Sequence, residues 1–132
     1  MVKIKHTMQN QIIIIGAGSV GGHVAVNMNL YFDEELHPIF LDDDSSKHGK
    51  EFCGIEVLGS VTEIKTFSKS TPIVVGIAFP KVKQKIIKQL QLKGYTNFPK
   101  LISKRSWVSN NVEIGAGCII YPGCSINYGS KI

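Results

Sequence analysis

The sequence predicts an α/β fold: a small parallel sheet with helices on both faces, followed by a triangular coil of short parallel strands. Two observations predict it. Over residues 1–103 short apolar strands alternate with helical patterns, the order that builds a parallel sheet covered by helices. From Val108 onward an aliphatic residue recurs at every sixth position, as Val108, Ile114, Ile120, Ile126 and Ile132. That step belongs to neither a helix nor a strand. It suits a prism whose sides are six residues long. The period changes near residue 103, which divides a sheet domain (1–103) from the coil (104–132), and the short linker predicts that the two are packed together.

Taken in order, residues 11–15 carry four consecutive isoleucines and stop at Gly16, the pattern of a buried strand. Val20, Val24, Met28 and Tyr31 then fall on one face at helical spacing. Residues 38–41 form a second strand, ended by Asp42-Asp43-Asp44. Residues 45–54 are polar, contain Gly49 and Gly54, and read as a loop. Residues 55–58 are a short strand closed by Gly59, and residues 62–67 a short helix. Residues 72–77 are rich in β-branched side chains and predict a buried strand. Pro80 opens a helix that runs to Lys93, where Gly94 ends it. Residues 97–102 are the last strand, residues 104–106 the junction, and Trp107 begins the coil. Within the coil Asn111, Gly117, Gly123 and Gly129 occupy the corner, where positive φ costs these residue types least. Val112, Cys118, Cys124 and Ser130 form a column of small residues facing the axis.

Composition bounds the rest. At 132 residues the chain holds one domain, or one domain and part of another. Its hydrophobic content of 43% and mean hydropathy of +0.08 support a packed core and argue against disorder. No apolar run nears the ~20 residues that cross a bilayer. Met1–His6 is followed only by the brief run Ile12–Ile15, so neither a membrane span nor a signal peptide is expected, and the default location is cytoplasmic. The three cysteines, Cys53, Cys118 and Cys124, include no Cys-x-x-Cys pair, so no metal site is expected. The net charge is +5, and Lys81, Lys83, Lys85 and Lys88 cluster on the Pro80 helix, opposite Val82, Ile86 and Leu90. No aromatic residues interleave with them. The cluster reads as a solvated face, and no nucleic-acid partner is expected.

Gly16-Ala17-Gly18-Ser19-Val20-Gly21 is a Gly-x-Gly-x-x-Gly motif placed after a buried strand and at the start of a helix. Gly16 permits the tight turn, Gly18 lets backbone approach a pyrophosphate, and Gly21 lets helix and strand pack closely. Free N–H groups at the helix start then face the phosphates. Asp42 stands at the end of the second strand, where a carboxylate accepts bonds from ribose hydroxyls. Asp43 and Asp44 could share that task, hold a cation or solvate the loop. Such a cradle suits a dinucleotide and a nucleotide-sugar equally, since both present a pyrophosphate and a ribose.

With cradle, acid cluster and six-residue repeat in this order, the chain resembles the sugar O-acyltransferase family. That family includes sialic-acid O-acetyltransferases and N-acetyltransferases acting on UDP-4-amino-sugars. The resemblance rests on Ile13-Ile14-Ile15-Gly16-Ala17-Gly18, Phe40-Leu41-Asp42-Asp43-Asp44, Gly54-Ile55-Glu56-Val57-Leu58-Gly59 and residues 108–117. It implies a Rossmann-like domain followed by the first coil of a left-handed parallel β-helix. It implies that Gly16, Gly18, Ser19, Gly21, Asp42 and Asp43 contact a UDP-sugar or similar nucleotide-sugar, and that His23 corresponds to the histidine of the family's Gly-Gly-His loop. It also implies acetyl-CoA as co-substrate, a homotrimer once the β-helix is complete, and a histidine on a later coil as general base.

Two departures shape the expectation. The junction reads Ile102-Ser103-Lys104-Arg105-Ser106 where the family often carries Ile-His-Pro-Ser, and no histidine follows His48. The chain is therefore expected to be the nucleotide-sugar-binding portion of an acetyl-CoA-dependent sugar O- or N-acetyltransferase. Its catalytic coil is expected to be absent, with no catalytic residue present and acetyl-CoA not bound. The alternative is a non-catalytic nucleotide- or NAD-binding Rossmann module of a sugar-nucleotide-modifying protein. Because solenoid units bury their faces only against neighbours, the tail after Trp107 is expected to fray, to pack on the first domain or to be borrowed by another copy.

Overall fold

The computed structural model describes residues 10–132; Met1–His6 and the start of the 1–103 domain lie outside them. In chain order the elements are β1 (Gln11–Ile15), α1 (Ser19–Val26), β2 (His37–Leu41), β3 (Glu51–Phe52), β4 (Ile55–Gly59), β5 (Ile73–Val75), α2 (Pro80–Leu92), β6 (Leu101–Ile102), β7 (Trp107–Val108), β8 (Ile119–Ile120) and β9 (Ser125–Ile126). Short 3-10 turns occupy Met28–Leu30, Ser45–Lys47 and Val61–Thr66.

The isoleucine run of β1 is buried along its whole length, and the strand lies inside the sheet between β2 and β5. The sheet order is β3-β4-β2-β1-β5, with β4, β2, β1 and β5 parallel and β3 antiparallel at one edge. Side chains alternate between its two faces. Ile12, Ile14, Phe40, Val57 and Val74 pack with Val24 and Ala25 of α1. Ile13, Ile15, Ile39, Leu41, Ile73 and Val75 pack with Ile87 and Leu90 of α2, with Ile64 and Phe67, and with Tyr95 and Phe98. This is the mixed α/β, parallel-rich arrangement that the strand and helix alternation predicted.

Several elements differ from the sequence expectation. The first helix ends at Val26 rather than reaching Tyr31. Its eight residues include Gly21, Gly22 and three valines, all poor helix formers, and Asn27 turns its amide onto the His23 carbonyl at 2.9 Å. Residues 45–54 are not all loop: Phe52 pairs with Ile55 through a two-residue hairpin turn, in which Cys53 and Gly54 both take positive φ. Residues 97–102 add no strand to the sheet. Only Leu101–Ile102 is extended, and it pairs with β8 instead. Pro99 has no N–H to give a ladder. On α2, Val82 is 47% exposed, while Lys83 sits half-buried in line with Ile86, Ile87 and Leu90. The apolar stripe is therefore rotated one position from the predicted one.

Beyond residue 100 the pairing changes character. β6 pairs with β8, β7 with β9, and Glu113 bridges Lys131, all in parallel. Each pair joins residues eighteen apart, three six-residue units. Asn111, Gly117, Gly123 and Gly129 have φ of 63°, 74°, 81° and 76°, one left-handed residue per unit. Leu101 is buried among the α1-side core residues, and Ile119 packs against them. A Cβ added at Gly117 would sit 2.9 Å from the Ile87 side chain of α2, so this stretch packs directly on the sheet domain. Among the described residues no helix is long and apolar enough to cross a membrane.

Tyr95 fixes the α2 side of the core from within. It is 1% exposed, and its hydroxyl donates to the Ile64 carbonyl at 2.9 Å. A Tyr95→Phe variant removes this bond but leaves the carbonyl its second partner, the Phe67 N–H at 3.0 Å, so urea unfolding is expected to show a loss of about 0.5–1.5 kcal/mol.

Candidate functional site

Parallel pairing brings the carboxyl ends of β1, β2 and β5 together, and their following residues extend the ladder. Gly16 N–H donates to the Leu41 carbonyl at 2.9 Å, and Gly76 N–H to the Ile15 carbonyl at 2.7 Å. The chain leaves β1 through α1 on one face of the sheet and leaves the neighbouring β5 into α2 on the other, so the connections diverge between these two strands. That is the switch point at which open α/β sheets bind ligands. A cleft of about 250 Å³ lies there, lined by Gly16, Gly18, Ser19, Val20, Asp42, Lys47 and residues 76–79.

Steric limits set the glycine turn. Gly16 has φ of 101°, and a Cβ there would meet the Gly76 carbonyl oxygen at 2.8 Å. A Cβ on Gly21 would lie 2.0 Å from the Gly16 carbonyl oxygen, so nothing larger fits where α1 crosses the turn. Gly18 differs: it caps α1 in extended conformation and has open space where a side chain would stand. Gly18 has no side chain to cap α1, and Ser19 and Val20, at the helix start where N–H groups lack intrahelical partners, line the cleft.

Asp42 and Lys47 hold Ala17 from both sides. Ala17 N–H donates to Asp42 Oδ2 at 2.8 Å, and Lys47 Nζ donates to the Ala17 carbonyl at 2.9 Å. Lys47 Nζ lies 3.7 Å from Asp42 Oδ2. The other Asp42 oxygen accepts from Asp44 N–H at 2.8 Å. Each carboxylate oxygen keeps a second lone pair for a hydroxyl. Asp43 accepts from Val61 N–H at 2.9 Å and does not line the cleft. Asp44 caps the Ser45–Lys47 turn, and its hydrogen bonds from Ser46 hold its carboxyl below the usual carboxylate range. Among the described residues, no three His, Cys, Asp or Glu side chains gather as a metal site would need.

The structure thus brings Gly16, Gly18, Ser19 and Asp42 to one cleft, with Gly21 behind the turn. His23 stands elsewhere. Its ring stacks on Tyr121, just after β8, at 4.2 Å, and its Nε2 lies 2.5 Å from the Tyr31 hydroxyl. Burial, then Tyr121 and Cys124, push the Tyr31 phenol up to about 12. Sequence reasoning missed Lys47, Gly76 and Phe79. A glycine ending a buried strand signals Gly76, but only the fold brings Lys47 across to Ala17.

A second cavity of about 390 Å³ lies between α2 and the segment that carries β8, lined among others by Lys83, Gln84, Ile87, Cys118 and Ile119. It shares Ile77 and Ala78 with the glycine cleft. Burial lowers the Lys83 ammonium below its ordinary value, with Cys118 acting in the opposite sense.

Residues 11–90 match the model of the PglD N-terminal domain. The chain belongs to that family. This is the N-terminal portion of the sugar acyltransferases that the cradle, the acid cluster and the repeat resembled. No curated protein matches the sequence. Among solved structures, the chain is similar to a mutant of perosamine N-acetyltransferase from Caulobacter crescentus in complex with CoA and GDP-perosamine. The identity is 21%, the match covers 95% of this chain and 58% of that one, and the TM-score is 0.77. It is also similar to the acetyltransferase domain of PglB from Neisseria gonorrhoeae, at 23% identity over 93% of this chain and 58% of that one, with a TM-score of 0.74. Both likenesses show the fold. The chain spans 58% of the length of each of these two structures.

The glycines separate by position. Gly21→Ala forces carbon into the Gly16 carbonyl and is expected to cost about 3 kcal/mol or more in urea unfolding, whereas Gly18→Ala stays within about 0.5 kcal/mol. Tyr31 adds a pH dependence. Its folded pKa of about 12 exceeds the ordinary value of 10.0, so as pH rises through that window the unfolded chain releases the proton first and stability falls. Denaturant midpoints of a Tyr31→Phe variant are expected to decline less steeply across that interval.

Proposed function

We propose that this chain is the nucleotide-sugar-binding portion of an acetyl-CoA-dependent sugar O- or N-acetyltransferase. The glycine turn carries the reading: Gly16, Gly18 and Ser19 border an open cleft at the switch point, with Asp42 beside it. In this reading the N–H groups at the start of α1 hold the diphosphate, and the free lone pairs of Asp42 accept ribose hydroxyls. Asp43 acts by anchoring the acid loop to Val61. Gly21 acts by letting α1 approach, and His23 by seating the coil through Tyr121 rather than by touching substrate.

Residues 104–132, with Leu101–Ile102 as their first paired strand, are in this reading the first coil of a left-handed parallel β-helix. The constant eighteen-residue pairing and the left-handed residue once per six support it. Family membership and the fold of the solved acetyltransferases support the reaction class. A thioester acyl transfer needs a base to take a proton from the acceptor amine or hydroxyl. No histidine follows His48, so binding and orienting the acceptor is the part assigned to these residues. Acetyl-CoA, a homotrimer and a cytoplasmic setting belong to the same reading of the whole enzyme.

Thermal unfolding tests it. A UDP- or GDP-linked amino sugar is expected to raise Tm, by about 2.7 kcal/mol of added stability at a hundredfold excess over Kd, and acetyl-CoA alone is expected not to. Gly18→Ala should fold normally and lose the shift. Stabilisation by acetyl-CoA alone would overturn the reading. Strong enhancement of NADH fluorescence would favour the dinucleotide module instead.

A further inference from the structure

We propose that Lys47 is the cation that admits a diphosphate to the glycine cleft, neutralising Asp42 and binding phosphate oxygen without leaving Ala17. The inference rests on the nucleotide-sugar reading above and names a residue that reading does not use.

The electrostatics require such a group. The cleft wall carries the carboxylate of Asp42, whose side chain is 18% exposed. A diphosphate brings at least two further negative charges to within a few ångströms. At the low effective dielectric of a cleft that repulsion opposes binding, and the partial charge of a helix terminus offsets only part of it. Among the described residues that line the cleft, Lys47 is the one cation. Its side chain is 39% exposed, open enough to meet ligand, and its ammonium lies 3.7 Å from Asp42 Oδ2.

Geometry allows the double role. An ammonium has three donors. One is engaged by the Ala17 carbonyl at 2.9 Å, on the residue between the two cradle glycines. The remaining donors are not taken by that carbonyl, and Lys47 lines the same cleft as Gly18, which has open space where a side chain would stand. Lys47 is also pre-positioned, since the Asp44 cap fixes the turn that carries it. Little side-chain freedom then remains to be lost when a ligand arrives.

A merely structural Lys47 would tie the turn and nothing more, and the phosphate dependence of binding separates the two. The test measures binding of UDP and GDP, and of uridine and guanosine as phosphate-free controls, to wild type, Lys47→Met and Lys47→Arg. Lys47→Met keeps the aliphatic stem and loses the charge. It is expected to weaken nucleoside diphosphate binding about ten- to hundredfold, while changing nucleoside binding less than about threefold. Lys47→Arg should retain most of the affinity, and added salt should weaken wild type more than Lys47→Met. Equal diphosphate binding by wild type and Lys47→Met, or equal losses for diphosphate and nucleoside, overturns this inference alone. Absence of any diphosphate binding to wild type overturns the function proposed above and this inference with it.

Discussion

The arrangement depends on how closely α1 crosses the end of the sheet. With 2.0 Å between a built Cβ on Gly21 and the Gly16 carbonyl oxygen, and 2.8 Å between one on Gly76 and the Gly21 backbone, two glycines of the turn meet a third from the end of β5. Only hydrogens separate the elements there. This closeness puts the start of α1 over the ends of β1 and β5, so that its unpaired N–H groups face a cleft rather than a packed wall. The same closeness lets Val24 and Ala25 reach Ile12 and Ile14 in the α1-side core. Site and core thus share one steric condition.

Asp42, at the edge of the cleft, serves as scaffold for the glycine turn. Its two oxygens accept backbone N–H groups from Ala17 and Asp44, which joins the glycine turn to the acid loop. Hydrogen bonds to a charged acceptor are among the stronger local ties in a protein. The turn is therefore set before any ligand arrives, and binding need not order it.

Much of this was legible in the chain itself, for physical reasons. Four isoleucines in succession suit a strand buried on both faces, and β1 is one. The corner residues Asn111, Gly117, Gly123 and Gly129 were readable because positive φ restricts the residue types that tolerate it, and all four adopt it. Less legible were features fixed by contacts distant in sequence. Residues 97–102 have the composition of a strand, yet Leu101 takes its partner from Ile119. The hairpin of β3 hid in a polar stretch because Glu51 and Phe52 lie at an edge, where one polar side chain is tolerated. Lys47 carried no signal, since its meeting with Ala17 spans thirty residues. His23 lay in a suggestive place beside the motif, but the turn of α1 carries its ring to Tyr121.

Leu101 belongs to two structures at once: its side chain fills the α1-side core, and its backbone forms the first paired strand beyond the sheet. The segment beyond residue 100 therefore begins on a finished plate instead of on solvent. Its first paired strands inherit a height and a rotation from the sheet beneath, much as a course of bricks inherits its level from the footing. The cavity between α2 and this segment is then fixed in shape by the join.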